Sequence, residues 1–180
     1  MDISAALSRE RGAILSSWLA RALEVYPADA AQKFGTSRDP FQNPVGQAHR
    51  QGLRAVIDAL IAGAGPEALC AGLEPILKVR AVQELAPSDA LAFVFALRDV
   101  LGEVLKPAPE VEPSITRQID QLALFAFDIY SQARQRILEI RIGEVRRQVS
   151  SMMRRSGMFS EPEGAQAPPA ADSPNRGADP

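Results

Sequence analysis

The sequence of 180 residues is poor in the side chains that carry redox and metal chemistry, since it has one cysteine and one histidine. Cys70 cannot form an intrachain disulfide, which is typical of a protein from a reducing compartment. Structural zinc sites need several cysteine or histidine ligands, so their spacing patterns are absent. The spacing of Cys70 and His49 allows a catalytic pair, and this alternative stays open. A single cysteine on an apolar helical face is usually a small core residue, however.

Three further patterns are missing: a phosphate-binding loop, alternating strands and a membrane-spanning run. Gly63 and Gly65 end a helical pattern rather than follow a strand, so they do not form a glycine-rich phosphate loop. The most apolar segment, Leu91 to Leu97, is too short to cross a bilayer. Charged residues near the N-terminus interrupt any secretory signal. We therefore expect a cytoplasmic protein that is not an enzyme, needs no cofactor and does not contact membranes.

Charge is nearly balanced overall but uneven along the chain. The formal net charge of -2 provides no global basic surface for nucleic acid. The segment 134–155 nevertheless holds many arginines and few acids. Because aromatic residues are not interleaved with them, we predict a solvated or partner-facing surface rather than a nucleic-acid site. These arginines are Arg134, Arg136, Arg141, Arg146, Arg147, Arg154 and Arg155.

The sequence does contain a series of helical patterns. Residues 4 to 26 predict an amphipathic first helix, and Asn43 followed by Pro44 is a start signal for another. Pro75 is expected to kink or divide a later helix. The helix that begins near Pro87 is apolar on most sides, which predicts a position at the centre of a bundle. The predicted fold class is therefore all-α.

The last predicted helix is long, because no proline occurs between Ser114 and Arg155. A helix of about 40 residues spans on the order of 60 Å, more than a compact domain of this size needs. The C-terminal segment is rich in proline and alanine, which is typical of disorder. The predicted parts are a helical sensory or regulatory domain at 1–133, including 114–133 of the last helix, a projecting arginine-rich helix at 134–156, and a disordered tail at 157–180.

Two polar residues, Arg80 and Gln83, interrupt an apolar context shortly before Pro87 and Ser88. Two interpretations stay open for them. These side chains satisfy backbone groups where one helix ends and the next begins, or they form a buried polar site for a small ligand or signal. We favour the structural corner, in which Pro87 and Ser88 mark the start of the next helix.

His49 raises a separate alternative, because a histidine in an all-helical chain can be the proximal ligand of a haem globin. Its neighbours Arg50 and Gln51 are polar, so we expect an exposed or half-exposed turn of the helix instead. The haem globin is kept as the second alternative function.

Four short motifs stand out by their residues and their order. They are Trp18 with Tyr26-Pro27, the run from Phe41 to Gly46, Arg80-Ala81-Val82-Gln83, and Pro87 to Ala90 with Phe93. Together they resemble the N-terminal domain family of RsbT co-antagonists (RsbRD type), over roughly residues 5 to 145. The resemblance implies a globin-like sensory domain without haem, which dimerises and signals through a long C-terminal helix to a STAS domain. No STAS domain follows, so we expect a stand-alone form.

The function that the resemblance implies is a regulatory module for protein–protein interaction in stress signalling, with a homodimer or a signalling partner. For that contact we predict a helix-to-helix seam on the last helix. The first alternative is a cytoplasmic assembly chaperone or accessory protein for a redox enzyme complex of sulfur metabolism. The predicted seam residues are Ile129, Ile137, Ile140, Val145 and Val149.

Overall fold

The computed structural model describes residues 3–105 and 113–156, and its regular structure over these residues is helical throughout. The all-α prediction is confirmed, and so is the long C-terminal helix. The tail predicted at 157–180 lies outside the described residues. The helices are α1 (Ile3–Arg9), α2 (Arg11–Leu23), α3 (Ala28–Thr36), α4 (Pro44–Ile61), α5 (Pro66–Val82), α6 (Pro87–Val104) and α7 (Pro113–Arg155).

The chain divides into two compact units, Met1–Glu139 and Ile140–Pro180. The first unit contains α1 to α6 and the N-terminal part of α7, and the described hydrophobic core lies within it. The described part of the second unit is the remainder of α7 with one residue beyond it. The division predicted between residues 133 and 134 stays a prediction.

Local sequence signals determine several helix ends. Oδ1 of Asn43 accepts the backbone N–H of Gly46 at 2.9 Å, and Pro44 takes the first position of α4, as predicted. Nδ2 of the same side chain donates to the carbonyl oxygens of Phe34 at 3.0 Å and Ser37 at 2.7 Å. A single asparagine therefore satisfies carbonyls at the end of α3 and an amide at the start of α4.

One helix prediction differs from the structure, and one of the two alternatives given for Pro75 is excluded. The helix predicted at 4–26 is interrupted at Glu10, whose φ of -94° and ψ of 10° lie outside the helical region. Leu7 and Ile14 are both buried on either side of the interruption, so their spacing does not reveal it. Pro75 lies inside α5 and does not divide it, so of the two predicted alternatives the division is excluded and the kink stays a prediction.

Helices α4 and α5 approach closely where Gly52 lies against Gly72. A Cβ atom at Gly52 would lie 2.5 Å from the carbonyl oxygen of Gly72, and a Cβ atom at Gly72 would lie 2.7 Å from Cγ2 of Val56. Non-bonded heavy atoms are in favourable contact only at about 3.5 Å or more. The two glycines therefore permit an approach that fixes α5, and the polar residues on it, against α4.

Candidate functional site

Arg80 is a buried cation near the end of α5, with 1% of its surface exposed. Its Nη1 donates to the carbonyl oxygens of Ala90 at 2.8 Å and Asp89 at 3.2 Å, and its Nη2 donates to the carbonyl oxygen of Ala22. These acceptors lie in the first turn of α6 and the last turn of α2. Among the described residues no carboxylate forms a salt bridge with Arg80, so neutral acceptors surround its charge.

His49 is the fourth acceptor of Arg80. Nε of Arg80 donates to Nε2 of His49 at 3.3 Å, while Nδ1 of His49 donates to the carbonyl oxygen of Val45 at 2.8 Å. This arrangement requires a neutral ring that carries its hydrogen on Nδ1. Burial and the Arg80 cation lower the pKa of His49 to about 4. The expected exposed or half-exposed position is wrong, because His49 is fully buried although Arg50 and Gln51 are polar.

The same geometry bears on the haem alternative. Both ring nitrogens of His49 are engaged, and a guanidinium cation lies at Nε2 where a haem iron would need an unoccupied lone pair. The residues present at His49 therefore do not fit a haem axial ligand.

Aromatic rings complete the surroundings of the guanidinium. Cζ of Arg80 lies 4.5 Å from the ring centroid of Phe93, within the range of a cation–π contact. Nε1 of Trp18 donates to the carbonyl oxygen of Phe93 at 2.6 Å, and the Tyr26 ring meets His49 edge-on at 5.9 Å. Burial lowers the pKa of Arg80 to about 10, which leaves it charged at neutral pH. We call Trp18, Tyr26, His49, Arg80 and Phe93 the Arg80 cluster.

The residues of the predicted corner are distributed around this cluster. Gln83 is exposed, and its Oε1 accepts the hydroxyl of Tyr26 at 2.7 Å. Pro87 takes the first position of α6, and the N-cap residue is Ala86. Burial raises the pKa of the Tyr26 phenol, and the nearby Arg80 cation opposes part of that effect. Gln83 thus contacts the motif tyrosine and the Arg80 charge acts on it, whereas Ser88 lies exposed in the first turn of α6.

A cavity of about 250 Å³ opens beside the cluster, between α2 and α6. Its lining includes the ring of Phe93, small apolar side chains of α2 and α6, and Arg80. The charged residues in the lining are balanced, with Arg21 and Arg80 against Glu24 and Asp89. This balance provides no preference for an ion of either sign.

The remaining candidates for chemistry are weak in the part of the chain that the structure describes. Burial, assisted by Asp128 and Glu74, raises the pKa of the Cys70 thiol, so it stays protonated and is a poor nucleophile. Over residues 3–105 and 113–156, no group of three or more potential metal ligands occurs. Within the same ranges, no helix has the length and apolar character to span a bilayer.

The predicted seam residues on α7 have different surroundings. In the first unit, Ile129 and Ile137 are half-buried against the hydrophobic core. In the second unit, Ile140, Val145 and Val149 are exposed. The seam itself stays a prediction.

A different set of residues forms a regular pattern in the second unit. Ile142, Val145, Val149 and Met152 follow steps of three, four and three residues, which places them on one face of α7. All four are exposed, by 40% to 59%. We call them the α7 stripe. The predicted seam omitted Ile142 and Met152, although their spacing is visible in the sequence.

Positive charge surrounds the α7 stripe. The described residues of the second unit include one acid, Glu144. With Ile142 and Val149 at heptad positions a, and Val145 and Met152 at d, the e and g positions from Arg141 to Arg155 hold no acid, and the e position before them is Glu139 of the first unit. The five arginines of the segment are Arg141, Arg146, Arg147, Arg154 and Arg155, of which the first, second and last occupy e or g positions.

These observations describe an all-helical domain that combines a buried polar cluster with an exposed apolar helix face. The sequence matches the family model of the RsbT co-antagonist protein rsbRD N-terminal domain over residues 12–145. The chain belongs to this family. Domains of this type are regulatory and non-enzymatic, so membership indicates a role in signalling. No curated protein and no solved structure matches the chain.

Proposed function

We propose that the chain is a regulatory interaction module in which the first unit has the sensory role and α7 makes the contact with a partner protein. The α7 stripe is the observation that supports this proposal. Its four large apolar side chains are exposed at heptad spacing, and such faces bury themselves against another helix. Because α7 contributes residues to both units, a change in the first unit has a continuous helix along which to act.

The experiment is capture of partner proteins from native lysate by the full chain and by two matched variants. Val145→Asp places a charge in the α7 stripe, whereas Ser150→Asp places the same charge on another side of the helix. We expect a signalling protein that is retained by the wild type and Ser150→Asp and lost by Val145→Asp. Identical retention by all three proteins would contradict the proposal. Retention of a redox enzyme subunit in this pattern would instead support the assembly-chaperone alternative.

A homodimer is the second proposal, and exposed apolar residues of the first unit support it. Phe95 on α6 and Leu124 and Phe127 on α7 are each more than half exposed. Two contacts show that α6 and α7 run side by side in opposite directions: the 2.6 Å ion pair of Arg98 with Asp120, and the hydrogen bond from the Tyr130 hydroxyl to the carbonyl of Leu85.

We call Phe95, Leu124 and Phe127 the α6–α7 patch, and we propose that a second copy of the chain covers it. Aromatic and large aliphatic side chains are enriched at such interfaces. The seam predicted from the sequence is an alternative dimer surface, and Ile140, one of its three exposed members, allows the two surfaces to be compared.

A further inference from the structure

The charges beside the α7 stripe narrow the chemistry of its partner. In helix pairs, residues at e and g positions lie beside the apolar seam and select the partner by their charge. Here those positions hold Arg141, Arg146 and Arg155 together with Gln148 and Met153. Every charged flanking residue of the described second unit is therefore positive.

This charge distribution disfavours a second copy of the same stripe. In a parallel pair aligned along the whole stripe, Arg141 of one copy lies opposite Arg146 of the other. In an antiparallel pair of the same length, Arg146 lies opposite Arg146, and Arg141 lies opposite Arg155. Like charges beside a helix seam repel, and in these opposed pairs neither alignment places an acid opposite an arginine.

We propose, on the basis of the function proposed above, that the α7 stripe binds an acidic amphipathic helix of a partner protein. The partner helix has apolar residues at its a and d positions and glutamate or aspartate at its e and g positions. From Ile142 to Met152 the stripe extends about 15 Å along the helix axis, so the partner contributes about three helical turns. The apolar faces provide the contact area, and the charges determine which helix is accepted.

The test uses the full chain and two synthetic helical peptides that share leucine at every a and d position. One peptide has glutamate at e and g, and the other has lysine. Fluorescence anisotropy measures the affinity of each at low and high salt. We expect the glutamate peptide to bind at least about tenfold more tightly than the lysine peptide. We also expect salt to narrow the difference, because the flanking charges are exposed.

Variants of the full chain separate the apolar contribution from the charge contribution. Val145→Asp should remove binding of the glutamate peptide, while Ser150→Asp should retain it. Arg146→Glu combined with Arg155→Glu should reverse the preference toward the lysine peptide. Far-UV circular dichroism confirms that each variant keeps its helical content.

Four results would overturn the inference. They are equal or inverted affinity for the two peptides, glutamate-peptide binding that survives Val145→Asp, a dimer in sedimentation that Val145→Asp abolishes, and displacement of the glutamate peptide by a single-stranded oligonucleotide. If a captured partner depends on Val145 but tolerates the Arg146 and Arg155 reversal, the proposed function stands and the acidic partner is wrong. If capture does not depend on Val145, the proposed function fails, whatever the peptides show.

Discussion

Nε of Arg80 donates a hydrogen bond to Nε2 of His49 at 3.3 Å inside the hydrophobic core. The residues are 31 positions apart in the sequence and join α5 to α4. The bond exists only while His49 is neutral, because a protonated ring has no lone pair to accept it. Protonation would also place two cations side by side in a buried site. The charge state of one histidine is therefore coupled to the stability of the first unit.

We expect the free energy of unfolding to fall as the pH decreases from 6.5 to about 4. The pKa of His49 is about 4 when folded against 6.5 for the free side chain, so the unfolded chain binds the proton more readily. The stabilisation is complete above pH 6.5 and is lost as the pH falls through this window. The shift corresponds to about 3 kcal/mol, measurable by urea denaturation at a series of pH values.

His49→Gln is the control for this prediction. Glutamine can still accept a hydrogen bond from Arg80 but does not titrate, so its stability should fall less between pH 6.5 and 4. Carboxylates contribute equally to the pH dependence of stability in both proteins, so the difference between the two stability curves is due to His49. Parallel curves for the wild type and His49→Gln would contradict the coupling of His49 protonation to stability.

Replacement of Arg80 should destabilise the first unit strongly. Arg80→Ala removes the guanidinium donor from the carbonyl oxygens of Ala22 and Ala90 and creates a cavity beside Phe93, at a cost of about 3 kcal/mol or more. Lys78→Ala on the exposed side of α5 is the control and should cost less than about 1 kcal/mol.

Chemical denaturation measures the free energy of unfolding of the Arg80 and Lys78 variants. Arg80→Lys should not restore stability, because an ammonium cannot reproduce the planar fork of donors. If Arg80→Ala were as stable as the wild type but lost its partner protein, the corner would be functional rather than structural.

The close approach of α4 and α5 predicts a large effect of one methyl group. Gly52→Ala would place Cβ 2.5 Å from the carbonyl oxygen of Gly72, so we expect a loss of about 1 to 3 kcal/mol in unfolding free energy. Gly102→Ala in α6 is the matched control, since its Cβ would meet no atom within 4 Å. That change should be neutral or stabilising by up to about 1 kcal/mol. Equal effects at both positions would contradict the packing argument.

Two variants, each with one apolar residue replaced by aspartate, test the proposed dimer surface. Phe127→Asp disrupts the α6–α7 patch and should yield a folded monomer in sedimentation velocity, whereas Ile140→Asp should leave the dimer unchanged. The opposite pattern would assign the dimer to the seam predicted from the sequence. A wild-type protein that sediments as a monomer would exclude both surfaces.

Features that depend on neighbouring residues were predictable from the sequence. Asn43 and Pro44 start α4 because an asparagine side chain reaches an amide three residues away. The break at Glu10 was not predictable, since buried residues continue on both sides of it. His49 was predicted to be at least half exposed because its neighbour Arg50 is polar. Arg50 did not indicate solvent at this turn, because its Nη1 donates to the carbonyl oxygens of Phe34 and Gly35.

The candidate site was predictable only in part. An arginine in an apolar context indicated a buried polar corner, and Arg80 is buried. Its acceptors were not predictable, because Ala22 is 58 residues away and contributes a backbone oxygen, which no side-chain pattern records. The bond from Trp18 to the carbonyl of Phe93 spans 75 residues for the same reason. On α7, the sequence shows the pattern of apolar residues, but only the structure shows which of them face the core and which are exposed.

The position of Arg80 has a consequence for how the first unit opens. One side chain on α5 is bonded to backbone oxygens of α2 and α6 and to a ring on α4, so none of these helices can detach without breaking a bond to the same guanidinium. Amide hydrogens near these contacts should exchange with solvent only when the helices open together. In Arg80→Ala, we expect α2 and α6 to exchange at rates different from that of α4 and α5, which Gly52 and Gly72 still hold together.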